Sequence, residues 1–376
     1  MKPEDSALTS FVALGGAMTT TTAVNAFRIP LDHESDTSGL AALVTEGKLD
    51  ASAVIGVTGK VEGNWPGEQT RIAADTAVRR YLTGAGATAE SVARIPMIFS
   101  SGGVGIMTPH IVVYARVPWN GVIDSQPRLV VGSGRTQPLD ACWLGSSRMV
   151  SECANAVRSA MEDGDMTRDE ARFVIAKSPS PSEEQLDEAG VSPAIRRALL
   201  PLVSGATALG IGVALGEFEL PDESRIGVDQ SLWTGRASCS VGRERPFSQI
   251  LALGNSTRAG GTLMVGASVM HDVIDVTALD RALADAGLEI GASGITDEIL
   301  QRIVAVYLKI GEPDGTIRGR RQVQDARNSR YGSELKAAVG GAFAGRLGDT
   351  ALYISSAAVH QGPPNGGTVA VVVDHS

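Results

Sequence analysis

Apolar, largely β-branched residues come in short runs along the chain, and three of these runs end in a lysine. They cover residues 53–60, 173–177 and 303–309. Runs of this length and composition are typical of buried strands. We therefore expect three equivalent strands, with Lys60, Lys177 and Lys309 at their ends.

Serine-rich segments follow the lysine runs in the same order. Each segment begins like an apolar strand, reaches a serine, and is soon followed by another β-branched run. The serines expected at these positions are Ser100, Ser238 and Ser355, and Ser240 is the alternative to Ser238 in the second segment. The order of lysine and serine therefore recurs three times.

An alanine-rich helical stretch lies between each lysine and its serine, and glycine closes each stretch as it commonly closes helices. These stretches are residues 70–82, 194–215 and 334–347. The pattern predicts three homologous α/β repeats, after an N-terminal extension at residues 1–17. The predicted repeats are residues 18–125, 126–257 and 258–376. Few, long repeats favour a closed three-fold arrangement over an open solenoid.

Composition and charge narrow the class of protein. Hydrophobic residues make up 43% of the 376 residues, which excludes a disordered chain and supplies a large core. A net charge of −9 argues against a nucleic-acid partner. No apolar run approaches the roughly 18 residues of a membrane span, and the acidic start is unlike a signal peptide. With three cysteines and no CxxC pair, the sequence predicts a cytoplasmic protein without a membrane partner.

The lysines and serines would meet if the three repeats pack around one axis. A lone lysine at a strand end is usually solvated, and serine-rich tips are often plain tight turns. The threefold recurrence favours a shared site instead. Crowding by other ammonium groups lowers the pKa of a lysine, which can then act as a general base. A serine beside it becomes a nucleophile, and small-residue tips offer backbone N–H groups to a carbonyl oxygen.

Ordered motifs run through nearly the whole chain from about residue 22. They are residues 27–30, 36–40, 59–64, 70–71, 100–102, 109–110, 208–217, 236–238, 318–321 and 355–363. Together they resemble the cyanuric acid amidohydrolase and barbiturase family of ring-opening amidohydrolases. The resemblance implies a toblerone-like α/β fold, with three repeats around a pseudo-three-fold axis and three Lys–Ser pairs surrounding a cyclic amide.

The resemblance also implies residue roles. It implies Ser238 as the nucleophile and Lys177 as its base, with no cofactor required for the chemistry. The residues it implies for substrate binding are Lys60, Arg71, Ser100, Ser101, Cys239, Lys309, Ser355 and Ser356. It implies a structural divalent cation, magnesium or calcium, held by Glu312, Ala358, Gln361, Gly362 and Pro363. A homotetramer is implied as well.

Members of the family supply an arginine to the ring from the helix of each repeat, and this chain departs from that pattern. Arg71 matches in the first repeat, Ser204 stands at the second position, and residues 333–336 give no clean arginine in the third. We therefore expect a divergent member. The leading expectation is hydrolytic ring opening of cyanuric acid to carboxybiuret. The alternatives are a barbiturase, which converts barbituric acid to ureidomalonate, and a catalytically silent homologue that binds a cyclic amide.

Overall fold

The computed structural model describes residues 21–63, 67–102, 105–123, 125–188, 190, 192–323 and 331–376. The expected N-terminal extension, residues 1–17, and Asn64 of the motif at residues 59–64 lie outside these ranges.

The first sheet takes its strands from residues 22–118. The strands are β1 (Thr22–Pro30), β2 (Val54–Lys60), β3 (Met97–Ser100) and β4 (His110–Pro118). The helices of this segment are α1 (Ser38–Thr45), α2 (Gly67–Gly84) and α3 (Ala89–Arg94), and a short 3-10 helix, Ala51–Ala53, precedes β2. Helix α3 begins after Thr88 because the Thr88 side chain accepts a hydrogen bond from the Ser91 N–H.

The second sheet takes its strands from residues 128–256. The strands are β5 (Arg128–Arg135), β6 (Ala171–Pro179), β7 (Ala237–Gly242) and β8 (Gln249–Ser256). The helices are α4 (Ser147–Asp163), α5 (Glu183–Glu188) and α6 (Pro193–Leu215), with 3-10 helices at Ala141–Trp143 and Glu223–Arg225. The Ser146 side chain caps α4 by accepting from the Met149 N–H.

The third sheet takes its strands from residues 263–374. The strands are β9 (Leu263–Met270), β10 (Ile303–Ile310), β13 (Tyr353–Ser355) and β14 (Gly367–Asp374), and β11 (Thr316–Ile317) pairs with β12 (Arg320–Arg321) in a separate hairpin. The helices are α7 (Ala278–Asp285), α8 (Asp297–Arg302) and α9 (Tyr331–Leu347). Across the part of the chain that the structure describes, no helix is both long and apolar enough to cross a membrane.

The three four-stranded sheets have the same topology. In each sheet, the fourth strand in chain order lies between the first and the second and is antiparallel to both. The third strand then pairs with the second in parallel. The predicted α/β fold of three homologous repeats is thereby confirmed, whereas the exact limits of the repeats stay predictions.

The three sheets pack against one another through a shared core. This core includes residues from every sheet, among them Tyr114, Leu129, Phe173, Leu251, Val265, Tyr307 and Ala370. The opposite faces of the sheets pack against helices in separate hydrophobic clusters. Because both faces are covered, the central strands read as nearly continuous apolar runs rather than as alternating patterns.

A chain of hydroxyl groups crosses the shared core. The Tyr307 hydroxyl lies 2.5 Å from that of Tyr114 and 2.8 Å from the Thr58 hydroxyl, and all three residues are buried. The Tyr353 ring packs against Tyr307 at 5.5 Å between centroids, and its hydroxyl lies near that of Ser240 rather than in this chain. Buried hydroxyls cost free energy unless they are hydrogen-bonded, so this chain helps to hold the first and third repeats together.

Replacing Tyr307 by Phe should lower the free energy of unfolding by about 1–3 kcal/mol, because it leaves Thr58 and Tyr114 without a shared partner. Tyr353→Phe is the matched control, since its hydroxyl takes no part in the chain from Thr58 through Tyr307 to Tyr114, and we expect it to cause a smaller loss. Urea unfolding of both variants measures the difference. Equal losses in the two variants would contradict a stabilising role of the hydroxyl chain.

Candidate active site

The three predicted strand-end lysines are buried and lie close together. Lys60, Lys177 and Lys309 are 2%, 4% and 1% exposed, at or near the carboxyl ends of β2, β6 and β10. The Lys177 ammonium donates a hydrogen bond of 3.1 Å to the carbonyl of Phe99, which belongs to the neighbouring repeat. The same ends of the three sheets therefore meet at one site.

The register of the parallel strand pairs assigns a serine to each lysine. Lys60 lies opposite Ser100 and Lys309 opposite Ser355, as predicted. Lys177 lies opposite Ser240, whereas Ser238 lies opposite Ile175. The expected pairing of Lys177 with Ser238 is therefore corrected to Ser240.

This correction could not come from the local sequence. Ser238 and Ser240 are two residues apart on one strand, so their side chains point to the same face. Only the hydrogen bonds between β6 and β7 decide which of the two reaches the lysine.

The hydroxyls of the serine tips differ in their hydrogen bonds. Ser100 Oγ donates to the carbonyl of Ile354 at 2.6 Å, and Ser355 Oγ accepts from the Lys309 ammonium at 3.2 Å. Ser240 Oγ is buried without a hydrogen-bond partner in the structure, and so is Ser238 Oγ. Ser240 is partly exposed as a residue, while Ser238 is fully buried. Of the two residues, Ser240 is the one that retains some exposure, although its hydroxyl oxygen is itself buried.

Cations surround the first serine tip, Ser100 to Gly102. Arg71 of α2 donates to the Ser101 hydroxyl at 2.5 Å, and Lys336 of α9 donates to the Ser101 carbonyl at 3.2 Å. The Lys60 ammonium lies 3.4 Å from the Gly102 carbonyl. Lys336 comes from the third repeat, where the sequence showed no clean arginine, and it supplies a cation to the site from that helix.

Burial and the repulsion between neighbouring positive charges lower the pKa values of three lysines in the site. Burial holds the pKa of Lys60 well below its usual value, and the nearby charges of Lys336 and Arg71 lower it further. Burial lowers the pKa of Lys309 to about 7. Burial and then Arg71 lower the pKa of Lys336, while Glu312 opposes the shift. The site therefore favours the neutral form of these three amines more than water does.

Glu244 is a buried carboxylate that the sequence analysis missed. Its side chain is 3% exposed, lies 3.6 Å from the Lys177 ammonium and pairs with Arg71. Burial alone would raise its pKa, but Lys177 and Arg71 outweigh burial and hold the pKa below its usual value. An acidic residue between two arginines just after the serine tip was the only signal in the sequence.

The peptide between the two serines of β7 is held on both sides. The Cys239 N–H donates to Gln361 Oε1 at 2.5 Å, and its carbonyl accepts from the Ser204 hydroxyl at 3.0 Å. Gln361 Nε2 donates to Ser204 Oγ at 2.9 Å, which closes the network. The Cys239 thiol itself is fully buried in the core, where burial raises its pKa. The expected contact of Cys239 with substrate can therefore involve only its backbone, which is already hydrogen-bonded.

The residues expected to hold a divalent cation do not all face one space. Glu312, Ala358 and Gly362 line a common cavity beside the third serine tip. Gln361 is fully buried with its amide engaged by Cys239 and Ser204, and the Pro363 carbonyl accepts from the Gly366 N–H at 2.9 Å. Within the described ranges no group of three or more His, Cys, Asp or Glu side chains could hold a metal. The donor set thus fits the expected cation only in part, and we derive no step through it.

Fold and site together define an α/β protein of three repeats that surround a site with three Lys–Ser pairs. The sequence profile of the amidohydrolase ring-opening proteins matches residues 25–374. The chain belongs to this family.

Named relatives and solved structures agree with this assignment. Barbiturase 1 of Nocardioides sp. is 35% identical, over 94% of this chain and 99% of its own. A cyanuric acid amidohydrolase of Azorhizobium caulinodans is 35% identical, over 92% of this chain and 96% of its own. A solved cyanuric acid hydrolase, described as formed by structural concatenation, superposes with a TM-score of 0.86 at 29% identity, covering 94% of this chain and 100% of its own.

The lowered pKa of Lys309 makes stability depend on pH. The unfolded chain binds more protons than the folded one between about pH 7 and the ordinary lysine value of 10.5, so the contribution of Lys309 to stability rises with pH over this window. We expect the gain in unfolding free energy from Lys309→Met to be largest near pH 7 and to shrink toward pH 10. Urea unfolding at several pH values measures this, with the exposed Lys48→Met as control. A gain that is independent of pH would contradict a buried neutral amine at this position.

Proposed function

We propose that this cyclic amide hydrolase opens the ring of a cyclic ureide, with Ser240 as the nucleophile and Lys177 as its base. The observation that carries the proposal is the register of β6 and β7, which sets Ser240 opposite Lys177. Unlike the hydroxyls of Ser100 and Ser355, the Ser240 hydroxyl is not held by a backbone carbonyl or by a lysine in the structure. Several relatives are named as hydrolases, among them a cyclic amide hydrolase at 31% identity. Their names support hydrolytic ring opening as the reaction class.

The proposed reaction is covalent and balanced. Ser240 Oγ attacks a ring carbonyl carbon and transfers its proton to Lys177, which accepts it in its deprotonated form. The bond between that carbon and the ring nitrogen breaks, and the nitrogen takes the proton from Lys177. A water molecule then hydrolyses the resulting serine ester, which gives a carboxylate on the opened product and restores Ser240. Glu244 orients the Lys177 side chain through their 3.6 Å contact.

The other two Lys–Ser pairs bind and polarise the remaining ring carbonyls in this proposal. Ser100 with Lys60 and Ser355 with Lys309 occupy the equivalent ladder positions. Backbone N–H groups of these tips, at Ser101 and Ser356, are suited to carbonyl oxygens. Neither pair has an unpartnered serine hydroxyl, which is why we assign the nucleophile to the second repeat.

The three repeats do not present equally charged side chains to the site, and this difference bears on which ring the site prefers. The helices of the first and third repeats present Arg71 and Lys336, but the corresponding helix of the second repeat presents Ser204, whose hydroxyl is used inside the protein. Cyanuric acid has three identical edges, whereas barbituric acid has one methylene edge that needs no polar partner. We therefore place barbituric acid ahead of cyanuric acid. A cation at Glu312 and a homotetramer stay predictions from the resemblance.

Ser240→Ala should lower kcat/KM by at least about a thousandfold, because it removes the attacking oxygen. Ser238→Ala is the matched control on the same strand and should retain activity within about threefold. Lys177→Arg keeps a positive charge but cannot accept a proton at neutral pH, so we expect it to be inactive as well. Loss of ring absorbance with barbituric acid measures all three.

Full activity of the Ser240→Ala variant together with loss in Ser238→Ala would contradict our assignment and restore Ser238 as the nucleophile. Tight binding of the ring by calorimetry without any opened product would favour the silent binding homologue.

A substrate panel separates the two candidate rings. We expect kcat/KM for barbituric acid to exceed that for cyanuric acid by at least about tenfold, since one edge of the site lacks a charged donor. Both rings are assayed at equal pH with the unaltered protein, and ureidomalonate and carboxybiuret are identified by mass spectrometry. A preference for cyanuric acid would show that the uncharged Ser204 side of the site does not select barbituric acid.

A further inference from the structure

A layer of buried side chains lies on the core side of the three Lys–Ser pairs. Side chains alternate between the two faces of a strand, so the residue two positions before each lysine or serine points to the same face as that residue. These residues come from all three repeats and are 0–1% exposed. We call this layer the floor of the site, and its members are Thr58, Ile98, Ile175, Ser238, Tyr307 and Tyr353.

The floor contains two tyrosines, and their hydroxyls have different surroundings. The Tyr307 hydroxyl lies within hydrogen-bond distance of Thr58 and Tyr114, so it is used inside the core. The Tyr353 hydroxyl lies near that of Ser240, which belongs to the second repeat. Within the described residues, neither the Tyr353 nor the Ser240 oxygen forms a hydrogen bond with another group. The two hydroxyls are therefore available to each other.

A buried phenol that bonds to no other group calls for an explanation. Phenylalanine would fill nearly the same volume without the cost of burying a hydroxyl. Burial also raises the pKa of Tyr353, so that its oxygen keeps the proton at neutral pH. At this position the phenol is therefore a donor aimed at the proposed nucleophile.

The equivalent positions of the other two tips carry no phenol. Two residues before the tip serine, the first repeat has Ile98 and the second has Ser238. The hydroxyls of Ser100 and Ser355 are held instead by a backbone carbonyl and by a lysine. The tyrosine of the floor that is not used inside the core thus lies at the serine to which we assign the chemistry.

We propose that the Tyr353 hydroxyl donates a hydrogen bond to Ser240 Oγ during ring opening, which orients the nucleophile and stabilises the negative charge that develops on it. This inference rests on the proposed function. A serine hydroxyl carries one proton and can also accept hydrogen bonds. The Ser240 proton passes to Lys177, one lone pair of Oγ attacks the carbonyl carbon, and another accepts from Tyr353. The phenol keeps its own proton, so the balance of the reaction is unchanged.

Tyr353→Phe removes the hydroxyl and keeps the ring, and Tyr307→Phe is the matched control from the same floor. Turnover is measured on the full-length protein, with whichever of barbituric and cyanuric acid the unaltered protein opens faster. Tyr353→Phe should lower kcat by about tenfold or more with KM changed less than about twofold, because a hydrogen bond to a charged oxygen is lost. Tyr307→Phe should retain kcat within about threefold, although we expect it to be the less stable variant.

Calorimetry in the Ser240→Ala background separates an effect on the nucleophile from an effect on the ring. Adding Tyr353→Phe to this variant should leave the affinity for the same ring within about twofold, since the phenol acts on Ser240 Oγ. A larger loss of affinity would overturn the proposal, because it would show that Tyr353 contributes to binding the ring.

A Tyr353→Phe variant that keeps kcat within about threefold of the unaltered protein would also overturn the proposal. So would an equal loss of kcat in Tyr307→Phe, measured where urea unfolding shows both variants to be folded, because the packing of the floor rather than one hydroxyl would then be needed. Absence of turnover of every ring by the unaltered protein contradicts the proposed function. Turnover that is insensitive to Tyr353→Phe contradicts only the role of the phenol.

Discussion

Burial of three lysine amines at the ends of the central strands is the constraint on which the rest of this site depends. An ammonium removed from water is stable only where carbonyls or carboxylates face it, or where it gives up its proton. Backbone carbonyls at the serine tips and Glu244 fulfil this requirement here. One of these carbonyls, that of Phe99, belongs to a different repeat from its lysine, Lys177. The site therefore exists only when the sheets are packed together.

Side chains of the third repeat form hydrogen bonds with the outer edge of β7, a strand of the second repeat. This strand pairs only with β6, so its outer edge would carry unpaired peptide groups. Side chains of the third repeat occupy that edge, where Thr368 donates to the Ala237 carbonyl and Gln361 accepts from the Cys239 N–H. Ser204 completes the network from α6. The strand that bears Ser240 is thus held by β6, by the third repeat and by α6.

Three copies of one topology do not produce three equal subsites. The backbone ladders are equivalent, but the hydroxyl of Ser100 is bound to a carbonyl, that of Ser355 to a lysine, and that of Ser240 to neither. The helices differ in the same way, because charge is present at two of the three positions and absent at Ser204. The repeated topology therefore places the three Lys–Ser pairs. The few side chains that differ between the repeats are the basis on which we assign one pair to chemistry and two pairs to binding.

The sequence by itself determined the three repeats, the lysine at the end of each central strand and two of the three serines, because these features follow from local runs and their order. It did not determine Ser240 over Ser238, since both serines lie on one face of β7 and only the ladder with β6 distinguishes them. It did not determine Glu244 or Lys336 either, because these residues reach the site from segments far from their partners in the chain. Contacts between distant segments have no period in the sequence, and only the packing of the three sheets decided them.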